Sequence, residues 1–524
     1  MKKIRTLITI ILFALFAGGM LWFYALKPDR SEEVIASEED TVTIRIWYTD
    51  EALTDYLTSA SVAYLEEYGV RVIPELHTGL EYLEEIDSAS FGEEIPDLYI
   101  MGTDSTEKAV MAGLALPVLD EKGAISLINY PQVALDSVTY KNEVFGYPFY
   151  FDTAFLLYNQ TYLKQMADRA LRKEIGQEVV SSDSDSSDSN DSGDADDEDG
   201  GMSDIDDISL ENPPEGYDPA EWDVLVSERM EKMIPTSIQD VLNFANSYSA
   251  PDNVENIFLW DVNDIFYNYF FMGAYMNVGG ECGDDPTIID VYNPDTVQCM
   301  QVYQGLHQFF SIESSESNYK HVLDTFLQGK TIFMIATTDA VSSIVEAQHE
   351  GTFYWEYSVT SLPGVDAEHA SKGLSTTSAI YINGYTQHRA EADAFARFVA
   401  VDNIDSLFQR TGKLSAANVT EDYIDDAADL ARDMYKVSQP LPKILQLSDF
   451  WIELELVFVK IWDGADVEET LADLQSRLQV QIDTAGVAQD TVSADDIGDD
   501  SASDNTVDLP APENDTSGEE TTSD

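Results

Sequence analysis

The sequence is poor in basic residues. Only 28 Lys and Arg stand against 98 Asp and Glu among 524 residues, which gives a formal charge of −70. A nucleic-acid backbone and an anionic lipid surface both need Lys and Arg to replace their counterions. The deficit therefore argues against nucleic acid as a partner and against adsorption of the folded part on anionic lipid.

Motifs of catalysis and cofactor binding are also missing. The six histidines are scattered, and none forms a metal-ligand pair at helical spacing. Neither the G-x-G-x-x-G loop nor the G-x-S-x-G elbow occurs. The segment 329–331 (GKT) resembles the end of a phosphate-binding loop, but Asp324 stands where that loop needs glycine. We therefore expect no enzyme, no cofactor and no metal site.

Cysteine is scarce as well, with only Cys282 and Cys299. Their spacing matches neither a zinc pattern nor a thioredoxin-type motif. In an oxidising compartment the two could pair. Cysteine is also often a small buried residue, so a disulfide and two free thiols both remain open.

The amino-terminal segment predicts a membrane span. Residues 7–26 contain no charged side chain and follow Lys2, Lys3 and Arg5. A helix of about 20 apolar residues crosses a bilayer, and its basic leading end stays inside. We expect 1–30 to be a signal anchor, with the remaining chain outside the cell. A cleaved signal peptide and a secreted protein are the alternative, disfavoured by the long apolar run.

Two acidic tracts carry much of the negative charge. Residues 181–223 and 490–524 contain no Lys or Arg and few apolar side chains. Such segments bury too little surface to offset the entropy lost on ordering. We expect a disordered acidic insertion at about 175–232 and a disordered tail at 486–524, leaving a body that is itself acidic.

Strand and helix patterns alternate through the body. Residues 41–48 and 70–75 read as strands rich in β-branched residues, and 51–68 has helical spacing and stops at Gly69. Another strand is expected at 154–158. Alternation of this kind predicts an α/β fold with a largely parallel sheet. The body exceeds one ordinary core, so two lobes are expected.

Several segments, in this order, resemble the extracellular solute-binding proteins of ABC importers, the family that contains the maltodextrin-binding protein. They are TVTIRIWYTDE at 41–51, IPDLYIMGTD at 95–104, FGYPFYFDTAFLLYNQTYL at 145–163, FLQGKTIFMI at 326–335, YSVTSLPG at 357–364, GLSTTSAIYI at 373–382 and LSDFW at 447–451.

The resemblance implies a periplasmic-binding-protein-like fold of type II, with two α/β lobes connected by hinges. Lobe I would comprise 41–152 and 357–410, and lobe II 153–356 and the helices of 411–485. It also implies a monomeric receptor that captures an oligosaccharide and delivers it to an ABC permease. A surface protein without transport, such as a sensor partner or an adhesin, is the alternative.

The resemblance and the strand ends place nine residues at the cleft. Carboxylates accept hydrogen bonds from sugar hydroxyls, and flat aromatic faces cover the apolar side of a pyranose. Packing could equally explain Trp47 and Trp451, and Asp104 could cap a helix. The predicted contacts are Trp47, Glu51, Asp104, Tyr150, Asp152, Asp261, Asp264, Asp339 and Trp451.

The same cleft departs from the family pattern. Met101 stands where the maltodextrin protein has an aromatic residue, and Ser105 replaces a basic contact. Asp339 falls in the segment where the family has G-x-W. Fewer stacking residues and more acids would suit another sugar, a polar solute or a cationic one.

Overall fold

The computed structural model describes residues 41–92, 94–176, 213–247, 253–310, 318–418 and 426–490, with side chains to 484. The predicted span at 7–26, most of the acidic insertion and the acidic tail beyond 490 lie outside these ranges. Residues 486–490, the start of the predicted disordered tail, are helical instead. Within them, no helix is long and apolar enough to cross a membrane.

The first part of the chain alternates strands with helices. Its elements are β1 (Thr43–Tyr48), α1 (Thr54–Tyr68), β2 (Arg71–Leu76), α2 (Tyr82–Ala89), β3 (Leu98–Gly102), α3 (Thr106–Met111), α4 (Gln132–Val138), β4 (Thr139–Tyr140), β5 (Glu143–Val144), β6 (Gly146–Asn159) and α5 (Gln160–Glu174).

After the insertion the alternation resumes and then gives way to helices. The elements are α6 (Pro219–Glu231), α7 (Ile238–Ser247), β7 (Asn256–Leu259), α8 (Ile265–Asn268), β8 (Asn277–Gly279), β9 (Asp285–Asp290), α9 (Pro294–Leu306), α10 (Tyr319–Leu327), β10 (Thr331–Thr337), α11 (Asp339–Glu350), β11 (Tyr357–Thr360), β12 (Leu374–Ile382), α12 (Arg389–Arg397), α13 (Leu407–Thr411), β13 (Leu414–Ser415), α14 (Asp426–Val437), β14 (Gln439–Pro440), α15 (Phe450–Trp462) and α16 (Val467–Asp490).

Strand β6 belongs to two sheets and joins two lobes. Residues 146–153 pair with β12, in a sheet that continues through β3 and β1 to β2. Residues 154–159 pair with β10 and β11, and β10 pairs with β7. The strand passes from lobe I to lobe II between Thr153 and Ala154. The α/β fold with two connected lobes agrees with the prediction. The expectation of a largely parallel sheet is wrong, because β12 pairs antiparallel with β3 and β6, and β10 and β11 pair antiparallel with β6.

Both sheets are covered by side chains on both faces. In β3, Leu98 and Ile100 enter one core cluster of lobe I, and Tyr99 and Met101 enter the other. In β6, Leu156 and Leu157 likewise belong to different clusters of lobe II. Successive side chains of a strand point to opposite faces. Strands buried on both faces need nearly continuous apolar sequence, as in the segment AFLLY of β6.

Two further segments connect the lobes. Residues 361–373 lead from β11 in lobe II to β12 in lobe I, a few residues beyond the predicted boundary, because Tyr357–Thr360 pairs with β6 in lobe II. Strand β13 pairs with β6 at Phe151 and Tyr150, and the chain then continues to α14. Buried residues of α14 lie in the same cluster as β10 and β11.

The end of the predicted insertion is folded, unlike the prediction for 175–232. Helix α6 begins at a capping residue, Asp218, which accepts a hydrogen bond from the Ala220 amide at 3.0 Å. Trp222 is buried and donates its indole N–H to Asp168 of α5 at 2.7 Å. Buried side chains at Trp222, Val226 and Met230 follow helical spacing. The acidic composition of the surrounding tract concealed that spacing.

The two cysteines are free thiols in this structure. Cys299 is buried in lobe II, and Cys282 is half-buried. Burial raises the pKa of the Cys299 thiol to about 12. Cys299 is therefore a small core residue, and its thiol stays protonated at physiological pH.

His369 contacts α9 from the connecting segment 361–373, and its charge is expected to make the folding stability depend on pH. Its side chain is 7% exposed, with Nδ1 2.8 Å from Asp366 and Nε2 3.6 Å from Asp295 of α9. The hydrogen bond with Asp366 raises the pKa of His369 above its usual value. The stabilisation by the protonated imidazole is therefore fully present below the unfolded pKa of about 6.5. It is lost as the pH rises through the higher pKa of His369 in the folded state. We expect His369→Gln to lower Tm most below about pH 6.

Thermal unfolding across pH 5 to 9 measures this effect. His321→Gln, at an exposed site, is the control and should leave Tm unchanged at every pH. A Tm loss in His369→Gln of equal size at both ends of the range would contradict the role of its charge.

Candidate functional site

Acidic side chains from both lobes follow the carboxyl ends of parallel strands. Asp50 follows β1, and Asp104 follows β3, in lobe I. Asp261 follows β7, and Asp339 follows β10, in lobe II. Ligands of open α/β sheets lie beyond these strand ends. These acids are therefore candidates for the lining of a cleft between the lobes, although Asp261 itself is buried.

The crossing strand contributes the middle of the cleft. All residues of β6 are buried except Tyr150 and Asp152, which are half-buried. They are two positions apart and share one face of the strand. Nothing in the packing of a strand buried on both faces requires an acid, so Asp152 marks the place where β6 faces an opening.

Asp152 links the two lobes through polar contacts. The hydroxyl of Thr338, at the start of α11 in lobe II, donates a hydrogen bond to its carboxylate. Burial raises the pKa of Asp152, whereas the Thr338 hydrogen bond and the charge of Lys413 lower it. Asp152 therefore interacts with lobe II through Thr338 and with Lys413 through charge.

Lys413, just after α13, places an ammonium group among these carboxylates. Its Nζ lies 3.0 Å from Asp50 Oδ2 and 5.4 Å from the centre of the Tyr150 ring. Burial lowers the pKa of Lys413, but the negative charges of Asp152 and Asp50 outweigh it, so the pKa is raised overall. Asp50 also caps the short helix Glu51–Leu53 by accepting the Ala52 amide.

The lobe II wall is a second polar cluster. Asp339 accepts hydrogen bonds from the Tyr319 hydroxyl at 3.0 Å and from Thr337. The Tyr319 ring stacks on Tyr267, with centroids 4.6 Å apart. These contacts fix Asp339 at the start of α11, where the helix dipole also favours a negative charge.

Asp261, Asp264 and Glu455 lie near one another in lobe II. Burial raises the pKa of Asp264, and the charge of Asp261 raises it further. Burial also raises the pKa of Glu455, and the charges of Asp264 and Asp261 add to that effect. Asp264 caps α8 through the Phe266 amide at 2.8 Å. Negative charges at close range repel one another. Hydrogen bonds donated by a ligand would therefore stabilise the charged form of these carboxylates.

Trp451 lies in the first turn of α15, one helical turn before Glu455. It is half-buried, 6.1 Å from the Tyr269 ring and 4.9 Å from Phe450 between centroids. A partly exposed indole ring thus lies near the carboxylate of Glu455. The ring face can cover the apolar side of a pyranose, and the carboxylate can accept hydrogen bonds from its hydroxyls.

Asp104 stands on the lobe I side. Its side chain is exposed, yet surrounding protein raises its pKa, as expected for a carboxylate inside a cleft. Gly102 permits this conformation, because a Cβ there would lie 2.6 Å from Asp104 Oδ1. The following α3 has no side-chain cap, so Asp104 does not serve the capping role that the sequence also allowed.

Trp47 and Glu51 make none of the contacts that join Lys413 to Asp50 and Tyr150. Trp47 is buried, donates its indole N–H to Glu75 at 2.7 Å and stacks on His77 at 3.6 Å between centroids. Glu51 is exposed in the short helix that follows β1. Trp47 could offer a ring face to a solute only after His77 moved away.

Sequence reasoning missed Lys413 and Thr338. Lys413 lies in the sequence GKLS after a short helix, and only the chain path shows that it meets Asp50 and Tyr150. Thr338 lies in the segment 337–339, where the family has G-x-W, directly before Asp339. The available signal was position, because Thr338 follows a fully buried strand, β10. Across the described residues, no three His, Cys, Asp or Glu side chains are arranged to hold a metal ion.

The sequence matches no family model and no curated protein. Solved structures match it closely in fold. A cyclo/maltodextrin-binding protein bound to maltotetraose has a TM-score of 0.62 at 16% identity and covers 86% of this chain and 99% of its own. The extracellular solute-binding protein of Staphylococcus aureus with maltose has 0.62 at 14%, covering 86% and 100%. MalX of Streptococcus pneumoniae with maltopentaose has 0.57 at 17%, covering 84% and 100%.

These matches define the class of fold. The chain has the two-lobed, type II fold of solute-binding proteins, and the resemblance expected from the sequence is confirmed. The match extends over 99–100% of each of these three chains.

The raised pKa of Asp264 predicts a pH effect on stability. Between the unfolded value of about 4 and the raised folded value, the native state holds more protons, so stability falls as pH rises. Asp264→Asn keeps the cap and removes the charge. We expect the variant to gain about 1–3 °C in Tm at pH 7, with the gain vanishing near pH 4.

Asp285→Asn provides a control of opposite sign. Hydrogen bonds from the Thr287 hydroxyl and amide lower the pKa of Asp285. Its contribution is present above the unfolded pKa and is lost as pH falls, so the variant should be slightly less stable at pH 7. A Tm gain for Asp264→Asn that does not change with pH would refute the electrostatic cause.

Proposed function

We propose that this protein is an extracellular receptor that captures a carbohydrate between its lobes by hinge closure and delivers it to an ABC importer. The main support is the half-buried Asp152 on a crossing strand that is buried at every other position except Tyr150, in a fold shared with proteins bound to maltose and longer maltooligosaccharides. A solute that contacts Asp152 lies against both lobes, because Thr338 already joins that carboxylate to lobe II.

The groups around the cleft fit a polyhydroxylated ligand. Asp104 and Asp152 would accept hydroxyl hydrogen bonds from the lobe I side, and Asp264 and Glu455 from lobe II. Carboxylates with raised pKa gain most from such donors, since hydrogen bonding to the charged form offsets the cost of burial. Trp451 and Tyr150 supply partly exposed rings for the apolar sugar face.

We further propose that the protein works on the outer face of the cell membrane, held by the predicted helix at 7–26, or secreted if that segment is removed. Its partners would be the solute and the transmembrane subunits of a permease. Hinge closure is the step that would present both lobes to such subunits.

A receptor for a cationic solute is the second candidate. The excess of carboxylates over Lys413 in the cleft favours it. A non-transport role on the same fold, as a sensor partner or adhesin, would use the same solute contacts and differs only in the partner.

Binding measurements on the purified extracellular part test the first proposal. We expect neutral oligosaccharides of two to five units to include a ligand with Kd on the order of 1–100 μM. At hundredfold excess such a ligand adds about 2.7 kcal/mol of stability, so Tm should rise by roughly 3 °C for a folded body of this size. No shift with any of a broad set of neutral glycans would refute carbohydrate capture.

Trp451→Ala should weaken binding of that ligand by about tenfold or more, because the variant loses a ring face against the sugar. Tyr354→Ala is the matched control. Tyr354 is exposed, and the nearby Tyr357 pairs with Asn159, at the end of β6 remote from the crossing. Equal loss of affinity in both variants would show that Trp451 acts only through packing.

A further inference from the structure

Lys413 is a cation held by acids from separate parts of the fold. Asp50 follows β1, Asp152 lies on the crossing strand, and Lys413 follows α13. The Lys413–Asp50 contact is 3.0 Å, with side chains 26% and 30% exposed. The pair is thus half-buried, whereas Lys436–Asp433 on α14 is 47% and 59% exposed.

The surroundings of Lys413 are negative. Asp339 and Asp50 raise the pKa of Asp152, and Lys413 lowers it. The ammonium therefore offsets part of the negative charge at Asp152 and Asp50. Its 5.4 Å approach to the Tyr150 ring adds a cation–π contact at a ring that faces the cleft. A ligand ammonium at the position of Nζ would have the same neighbours, which are Asp50, Asp152 and the Tyr150 ring.

We propose that Lys413 is a specificity-determining residue, which occupies the cation position between Asp50 and Asp152 and so directs the cleft to uncharged carbohydrate rather than amine-bearing solutes. This inference rests on the proposed function of the cleft. A tethered ammonium is always present at high local concentration, so a ligand amine must displace it or be repelled by it.

The proposal distinguishes selectivity from structural support. A merely structural ion pair would, on removal, lower Tm and weaken neutral and cationic ligands alike. A cation that blocks its own site would, on removal, leave two or three unpaired carboxylates, which favour a ligand cation and disfavour a neutral one. The ratio of the two affinities separates these roles.

The test compares cellotriose with the β-1,4 glucosamine trimer, which differ by a hydroxyl against an ammonium at C2, and adds maltotriose as a second neutral sugar. Binding to wild type, Lys413→Met and Lys413→Arg is measured by calorimetry and by thermal shift. We expect Lys413→Met to change the neutral-to-cationic affinity ratio by at least about tenfold in favour of the glucosamine trimer.

Two controls complete the design. Lys413→Arg keeps the charge and should keep the wild-type preference. Lys436→Met makes the same change in net charge at an exposed pair and should leave the ratio unchanged. Added salt should weaken the new binding of the amine only slightly, because a half-buried charge pair is screened less than an exposed one.

The outcomes are separable. An unchanged ratio in Lys413→Met, or an equal loss for all three sugars, overturns the role of Lys413 even if the wild type binds carbohydrate. If the wild type binds no neutral sugar, the proposed function fails. The Lys413 inference then depends on the glucosamine trimer alone, and failure of Lys413→Met to bind it overturns that inference as well.

Discussion

The path of β6 through both lobes is the constraint on which the site depends. A strand that is buried on both faces in each lobe must be apolar almost throughout, and β6 is. It must also cross the gap between the lobes, where one face has no core to pack against. Tyr150 and Asp152 occupy that face, so the feature that joins the lobes also supplies the groups at the centre of the cleft.

The chemistry of the cleft follows from placing acids where water is restricted. Carboxylates in such surroundings are costly when charged, and their pKa values rise unless a donor or a cation is near. Thr338 supplies a donor to Asp152, and Lys413 supplies a cation. In lobe II, burial and the charges of neighbouring acids raise the pKa values of Asp264 and Glu455. The two walls therefore differ, with lobe I partly neutralised and lobe II more acidic.

The sequence predicted the fold class because its evidence is local. Alternation of strands and helices, and the long apolar run within β6, depend only on neighbouring residues. The sequence did not predict that β6 starts at Gly146, since Pro148 argues against a central strand. The structure accommodates Pro148 opposite an irregularity between Ser378 and Ala379 of β12.

The site was less accessible to sequence, because its contacts join distant segments. Asp50, Asp152, Thr338 and Lys413 come from four separate parts of the chain, and no spacing rule connects them. Position after a strand identified Asp104 and Asp339 as candidates, and the family-like crossing segment identified Asp152. Strand position also suggested Trp47, whose indole is instead occupied by Glu75 and His77. A position after a strand predicts the edge of the sheet at which a residue lies. Its side-chain contacts depend on tertiary packing.

The overall charge of −70 has little bearing on what the cleft selects. Charges separated by more than about 8–10 Å are largely screened in physiological salt, so a net charge summed over the whole chain does not determine the potential at Asp152. Interactions at 3 Å in restricted water are screened far less. A single ammonium group can therefore decide whether an acidic protein accepts an amine. For the same reason, the position of Lys413 is more informative about the solute than the whole surplus of acids.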